Sequence, residues 1–155
     1  MKKKSKQNNS LDICLICSSI LFGVLSLLLM LAPAIVTKVS FLEVKYNVYE
    51  LLKYDNEFRA GILFALVFAV VLLCMALLLA ILKLLDKKSK LESPIGFCGA
   101  LLGLVAGILL FFTKSLVGLA NSGITTLGIG AVLAGIFAII AALSLGFYTA
   151  RKLAK

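Results

Sequence analysis

The sequence contains no histidine and no tryptophan, and only 15% of its 155 residues are charged. Histidine is the side chain that most readily serves as a general base or a metal ligand near neutral pH, so its absence argues against both kinds of site. The GxxxxGK(S/T) loop that binds nucleotide phosphates is also missing. From these absences we expect a protein that is not an enzyme and that holds no cofactor and no metal.

Charged side chains are absent from four long apolar runs, which are residues 13–36, 60–82, 95–112 and 124–149. About 20 helical residues cross the roughly 30 Å hydrocarbon core of a bilayer. The third run is the shortest, and its helix either ends at residue 112 or continues to residue 120 with Lys114 reaching the membrane surface. In a chain that is 62% hydrophobic, these runs predict an all-α membrane protein, a single four-transmembrane-helix bundle over residues 1–155.

The sixteen lysines and arginines lie mainly beside the apolar runs. Eleven are in segments 1–12, 83–93 and 150–155, and five are in segments 37–59 and 113–123. Because cytoplasmic loops of membrane proteins are enriched in lysine and arginine, the first three segments are predicted to be cytoplasmic. Both termini are then inside, residues 83–93 form the inner loop, and the other two segments form the outer loops.

The basic borders also predict a lipid bilayer with anionic head groups as the first partner of the chain. No basic stretch in a soluble segment is interleaved with aromatic side chains, so we expect no binding to nucleic acid. The lysine-rich, asparagine-containing N-terminal segment favours the plasma membrane of a bacterium.

Small residues recur at every fourth position of the third and fourth predicted helices. They are Gly99, Gly103 and Gly107 on the third, and Ala134, Ala138, Ala142 and Gly146 on the fourth. Because burial of apolar surface does not drive helices together in lipid, small residues that let two backbones approach closely are typical of helix contacts. We predict that the two helices pack through these residues, either only within the bundle or also against another subunit.

The first outer loop contains a pattern typical of a strand. Leu42, Val44, Tyr46 and Val48 alternate with polar side chains, and this period of two predicts a half-buried, extended (β-like) segment. A lone strand is unstable in water, so it needs a partner. One interpretation is that it covers the mouth of the bundle within an interfacial aromatic belt of Tyr46, Tyr49, Tyr54 and Phe58. The other is that its edge binds a strand of another chain.

Cys14 and Cys17 form a CxxC pattern, and the chain also contains Cys74 and Cys98. This spacing occurs in redox pairs, and residues three apart share a helix face that can hold a metal. All four cysteines are predicted in the inner halves of their helices, where the cytosol keeps thiols reduced. We interpret them as small apolar packing residues, and the sequence leaves any other role of Cys14 and Cys17 open.

The remaining function classes need membrane helices but no reactive side chain. Our first hypothesis is an accessory or structural subunit that docks through its small-residue helix faces, and through the outer strand, onto itself or a larger membrane complex. The alternatives are a passive channel or holin-like permeabilising oligomer, and an immunity-type protein that binds a membrane-active toxin. The side chains relevant to a channel are the hydroxyls in the spans, which are Ser18, Ser19, Ser26, Thr125, Thr126 and Ser144.

Overall fold

The computed structural model describes residues 2–39, 42–56, 59–85, 91–119 and 124–154, with the side chains of all of these except 2–9, 39 and 54–56. Within these ranges the chain forms five α-helices, three β-strands and one 3-10 helix. In chain order they are α1 (Lys2–Leu29), β1 (Pro33–Val39), β2 (Leu42–Asn47), the 3-10 helix (Glu50–Asn56), α2 (Ala60–Leu84), α3 (Glu92–Phe111), α4 (Thr113–Leu116), β3 (Thr125–Leu127) and α5 (Ile129–Leu153).

Four of the described helices are long and apolar enough to cross a membrane, namely α1 from Ser10 onward, α2, α3 and α5. Each lies on one of the four apolar runs, so the prediction of four such helices is confirmed. Each helix packs against two neighbours in the cyclic order α1, α2, α3, α5. The result is a four-helix bundle.

The first predicted helix ends early because of Pro33. Helix α1 ends at Leu29, not at residue 36, and the chain continues as β1. Proline has no N–H to continue a helix and disfavours helical backbone at the residue before it. The β-branched residues Ile35, Val36 and Thr37 that follow favour a strand. The prediction of helix up to residue 36 was therefore wrong at this end.

The other predicted helix ends differ in the same region of the molecule. Residues 125–127 form β3, so α5 begins at Ile129 and not at residue 124. Helix α3 ends at Phe111, and the short helix α4 takes the place of a continuation to residue 120. Residues 86–90 of the predicted inner loop and 120–123 of the second predicted outer loop lie outside the described residues.

Buried positions on the long helices alternate at spacings of three and four residues. On α2 they are Ile62, Ala65, Ala69, Leu72, Ala76 and Leu79. Helix α1 follows the same alternation from Asp12 to Ser26, and α3 follows it from Glu92 to Leu110. This spacing is typical of left-handed bundles, in which each helix keeps one seam of side chains toward its neighbours.

The predicted small-residue stripe lies mainly between α3 and α5. A Cβ atom added at Gly103 would lie 2.9 Å from the Cβ of Ala142, and one added at Gly107 would lie 2.9 Å from the carbonyl oxygen of Gly135. The other predicted packing residues that are buried in the bundle are Gly99, Ala134 and Ala138, and Gly146 faces Ala100. These positions therefore form contacts within the chain.

The strands form an antiparallel sheet, in the order β2–β1–β3, at the end of the bundle where α1 ends and α5 begins. β1 pairs with β2 from Pro33↔Asn47 to Val39↔Leu42, and it pairs with β3 over Ile35–Thr37. A strand thus occupies the segment where the alternation predicts one. The sheet itself was not predicted. We call this end of the molecule the sheet end.

The two faces of the sheet differ in polarity, because cross-strand partners point to the same side. Ile35, Tyr46 and Leu127 are partners on the face that packs against the bundle, where Ile35 is completely buried. Lys38 and Glu43 are partners on the opposite face and form an ion pair of 3.1 Å. The sheet is therefore amphipathic, with one side against the helices and one side polar.

Candidate functional site

The most accessible element of the sheet is the edge strand β2, for which β1 is the pairing strand within the described part of the chain. Its apolar side chains become more exposed toward the start of the strand. Tyr46 is half-buried against the core, Val44 is 40% exposed and Leu42 is 73% exposed. Because an edge strand presents N–H and C=O groups that can pair with a further strand, β2 is a template for binding another chain.

Hydrogen bonds and packing fix the sheet onto the helices. The N–H of Val48 donates to the carbonyl oxygen of Met30 at 3.1 Å, and the N–H of Gly128 donates to that of Ala34 at 2.7 Å. Beneath the sheet lies a core cluster shared with α2 and α5, whose completely buried members include Ile35, Val48, Leu51, Ile62 and Ala131. Because β2 is already ordered, it loses less conformational entropy when it binds a partner.

The end of β2 is fixed by a reciprocal pair of hydrogen bonds. The carboxylate of Glu50 accepts from the N–H of Asn47 at 2.9 Å, and the side-chain oxygen of Asn47 accepts from the N–H of Glu50 at 2.9 Å. Nearby, the hydroxyl of exposed Tyr49 donates to the carbonyl oxygen of Leu27 at 3.5 Å. Of the predicted aromatic belt, Tyr54 and Phe58 have side chains outside the described residues.

Charged side chains from all four long helices meet at the opposite end of the bundle, which we call the charged end. Asp12 on α1 is buried, and its two carboxylate oxygens each lie 3.6 Å from a cation, Lys83 of α2 and Arg151 of α5. Glu92 on α3 is also buried. It accepts a hydrogen bond from the Tyr148 hydroxyl at 2.8 Å and pairs with Lys152 at 2.7 Å.

The charged end continues the seams of the bundle, a signal that the sequence analysis missed. Lys83 follows buried Leu79 by four residues, and Asp12 precedes buried Ile16 by four. These positions were assigned to flanking segments because they are charged. Both positions would have been found by extending the three- and four-residue spacing of the seams beyond the ends of the apolar runs. Since both buried carboxylates have cationic partners, this cluster ties the helix ends together and compensates both negative charges.

Five of the six hydroxyls named for a channel form polar contacts within the chain, whereas the Ser19 hydroxyl is buried without a hydrogen-bond partner among the described residues. Ser26 donates to the carbonyl oxygen of Ala134 at 2.8 Å, and the hydroxyls of Ser18 and Ser144 lie 3.3 Å apart, so both contacts join α1 to α5. In the sheet, the Thr37 and Thr125 hydroxyls lie 3.4 Å apart. These are helix and strand contacts of the kind that polar groups form in membrane proteins.

The four cysteines lie on the outer surface of the helices, and all are free thiols. Cys14, Cys17, Cys74 and Cys98 are exposed, so the interpretation of the four as small apolar packing residues is not supported by contacts within this chain. Among the residues that the structure describes, no three histidine, cysteine, aspartate or glutamate side chains group together to hold a metal ion.

Comparison with known proteins adds no assignment to this geometry. The chain matches no family model, no curated protein and no solved structure.

Proposed function

We propose that the chain is a non-enzymatic, multi-pass membrane protein that acts as an accessory or structural subunit by binding protein at the open edge of β2. The observation that carries the proposal is an ordered edge strand whose apolar side chains, Leu42 and Val44, are 73% and 40% exposed. An exposed apolar edge is an aggregation hazard that proteins usually cover or block, so its retention supports a binding role.

The helix faces support this assignment because their small residues are already used. Gly103 and Gly107 face α5 at distances that leave no room for a larger side chain. The interior of the bundle is filled by apolar side chains such as Leu72 and Leu145, both completely buried. Docking through the small-residue stripe and passage of solutes through one bundle are therefore less favoured than binding at the sheet.

The charge distribution supports a sheet end outside the plasma membrane and a cytoplasmic charged end. Lys83, Arg151 and Lys152 cluster at the charged end, and further lysines flank these helices in the sequence. Positive side chains are enriched on the cytoplasmic side and attract anionic lipid head groups. Both termini are then cytoplasmic, and the edge of β2 is available to proteins outside the cell.

Val44→Lys tests this proposal. We expect the wild-type chain, extracted in a mild detergent, to have a native mass above that of the 16.6 kDa monomer. A lysine at the centre of the binding edge should reduce the bound fraction roughly tenfold or more, because a charge would be buried against the partner. Native mass spectrometry or light scattering measures both.

Thr126→Lys is the matched control. Thr126 is an exposed residue on the opposite edge strand, β3, and its replacement should leave the native mass unchanged. A wild-type chain that is monomeric in every mild detergent would overturn the proposal. So would a Val44→Lys chain that keeps the full native mass.

A further inference from the structure

The sequence of β2 is self-complementary. Glu43 and Lys45 lie on the polar face of the sheet, on either side of Val44. Leu42, Val44 and Tyr46 lie on the other face. The strand therefore has opposite charges at equal distances from its central residue, and apolar side chains at equal distances on the other side. A strand with this symmetry can pair with a copy of itself.

We propose that β2 pairs antiparallel with β2 of a second copy of this chain, with the two Val44 residues opposite each other. This inference rests on the proposed function and names its partner. In this register Glu43 lies opposite the partner's Lys45 and, by two-fold symmetry, Lys45 lies opposite the partner's Glu43. Side chains directly opposite each other are about 4.5–5.5 Å apart at Cβ, so both ion pairs can form.

The charges select this register. A slip of one residue would exchange the two faces of the strand. A slip of two residues places either Glu43 opposite the partner's Glu43 or Lys45 opposite the partner's Lys45. Like charges directly opposite each other destabilise a strand pair. Pairing centred on Val44 is thus the arrangement near the middle of the strand that joins opposite charges.

The ion pair within the chain fits this arrangement. Lys38 of β1 lies 3.1 Å from Glu43, and both side chains are about half exposed to solvent or more, at 63% and 49%. In the pair of copies, Glu43 lies between Lys38 on one side and the partner's Lys45 on the other. A carboxylate has two oxygens and accepts from both cations.

A second copy would bury the exposed apolar side chains of β2. In the proposed register Leu42, which is 73% exposed, lies opposite the partner's Tyr46, and the two valines meet at the centre. The opposite edge of the sheet is a weaker template, because β3 has three residues whereas β2 has six. The edge of β2 therefore offers more backbone hydrogen bonds and more apolar surface.

Cysteine cross-linking tests the register. In a chain whose four native cysteines are replaced by alanine, Val44→Cys should form a disulfide dimer in membranes, at twice the 16.6 kDa monomer mass. Glu43→Cys or Lys45→Cys alone should form none. Each such residue is about 7–8 Å from its own copy across the pair, beyond the roughly 3.5–4.5 Å Cβ separation of a disulfide. The two variants expressed together should cross-link. Thr126→Cys, on β3, is the control and should stay monomeric.

Charge exchange tests the ion pairs in the Val44→Cys background. Glu43→Lys or Lys45→Glu should reduce the dimer yield roughly tenfold, since each places two like-charge pairs in the interface. The triple exchange Lys38→Glu, Glu43→Lys and Lys45→Glu also keeps opposite charges between β1 and β2, and it should restore the yield. The inference would be overturned if the dimer yield did not change with these exchanges. It would also be overturned if Thr126→Cys cross-linked as efficiently as Val44→Cys.

The outcomes also separate this inference from the proposed function. If the wild type is larger than a monomer and Val44→Lys dissociates it, but Val44→Cys gives no dimer, β2 binds a different protein and only the second copy is excluded. If the wild type is a monomer and Val44→Cys gives no dimer, both fail, and the apolar face of β2 lies against lipid.

Discussion

Replacing Gly128 with alanine is expected to destabilise the chain by about 3 kcal/mol, at the upper end of the usual cost of overpacking. A Cβ atom at this position would overlap the carbonyl oxygen of Pro33 and lie 2.7 Å from its carbonyl carbon. The N–H of Gly128 also donates to Ala34 at 2.7 Å, which holds the two backbones together. Backbone atoms cannot rotate away as a side chain can, so the contact between β1 and the start of α5 has to open.

Thermal unfolding in a mild detergent, followed by circular dichroism, measures this effect. A loss of about 3 kcal/mol corresponds to a decrease in Tm of roughly 6–12 °C for a chain of this length. Gly146→Ala, within α5, is the control, because its added Cβ meets Ala100 at an ordinary 3.7 Å. Alanine favours helix over glycine, so this variant should be as stable as the wild type or more stable. Equal decreases in Tm for both variants would contradict the assigned backbone contact.

Asp12→Ala is expected to have the second large effect, a loss of about 3 kcal/mol. Removing one partner of a buried ion pair costs about 3–5 kcal/mol, because the remaining charge is left without compensation. The side chain of Asp12 is 3% exposed, whereas those of Lys83 and Arg151 are 18% and 29% exposed. We expect the lower end of the range, since the two cations keep part of their hydration.

The same unfolding measurement tests the charged end. Asp12→Asn separates charge from shape: it keeps the size of the side chain, removes the negative charge, and should lose most of the same stability. The control is Lys53→Ala, which removes an exposed charge from the 3-10 helix and should change stability by less than about 0.5 kcal/mol. If Asp12→Ala and Asp12→Asn both unfold at the wild-type temperature, the buried cluster does not hold the helix ends together.

The four long helices could be predicted because, in a chain of this composition, a long run of apolar residues has few possible structures other than a long apolar helix. Two of the three strands could not, because Pro33–Val36 and Thr125–Leu127 lie inside apolar runs and hydropathy does not separate strand from helix there. Their β-branched residues are a weak local signal. These segments are strands because they pair with each other, for example Val36 with Thr126, which are 90 residues apart in the chain. A local sequence pattern does not encode a contact over that distance.

The candidate site was partly predictable. The alternation from Leu42 to Val48 indicates a strand, and the lysines that flank the helices are the basis for the prediction that it lies in an outer loop. Which edge of that strand is paired, and how far Leu42 extends beyond the core, depends on β1 and on the helices beneath it. The burial of Asp12 and Glu92 could be predicted only from the spacing of three and four residues along the seams of the bundle. Hydropathy alone does not reveal this spacing.

The most direct test asks whether the helices cross the membrane with the edge of β2 outside. Single cysteines at Thr126 and Leu153, which are exposed at the two ends of the bundle, can be labelled with a membrane-impermeant maleimide in a chain without native cysteines. The account predicts that the cysteine at position 126, at the sheet end, reacts in intact cells and that the one at position 153 reacts only after permeabilisation. Labelling of position 153 in intact cells, or of both positions from the same side, would contradict it.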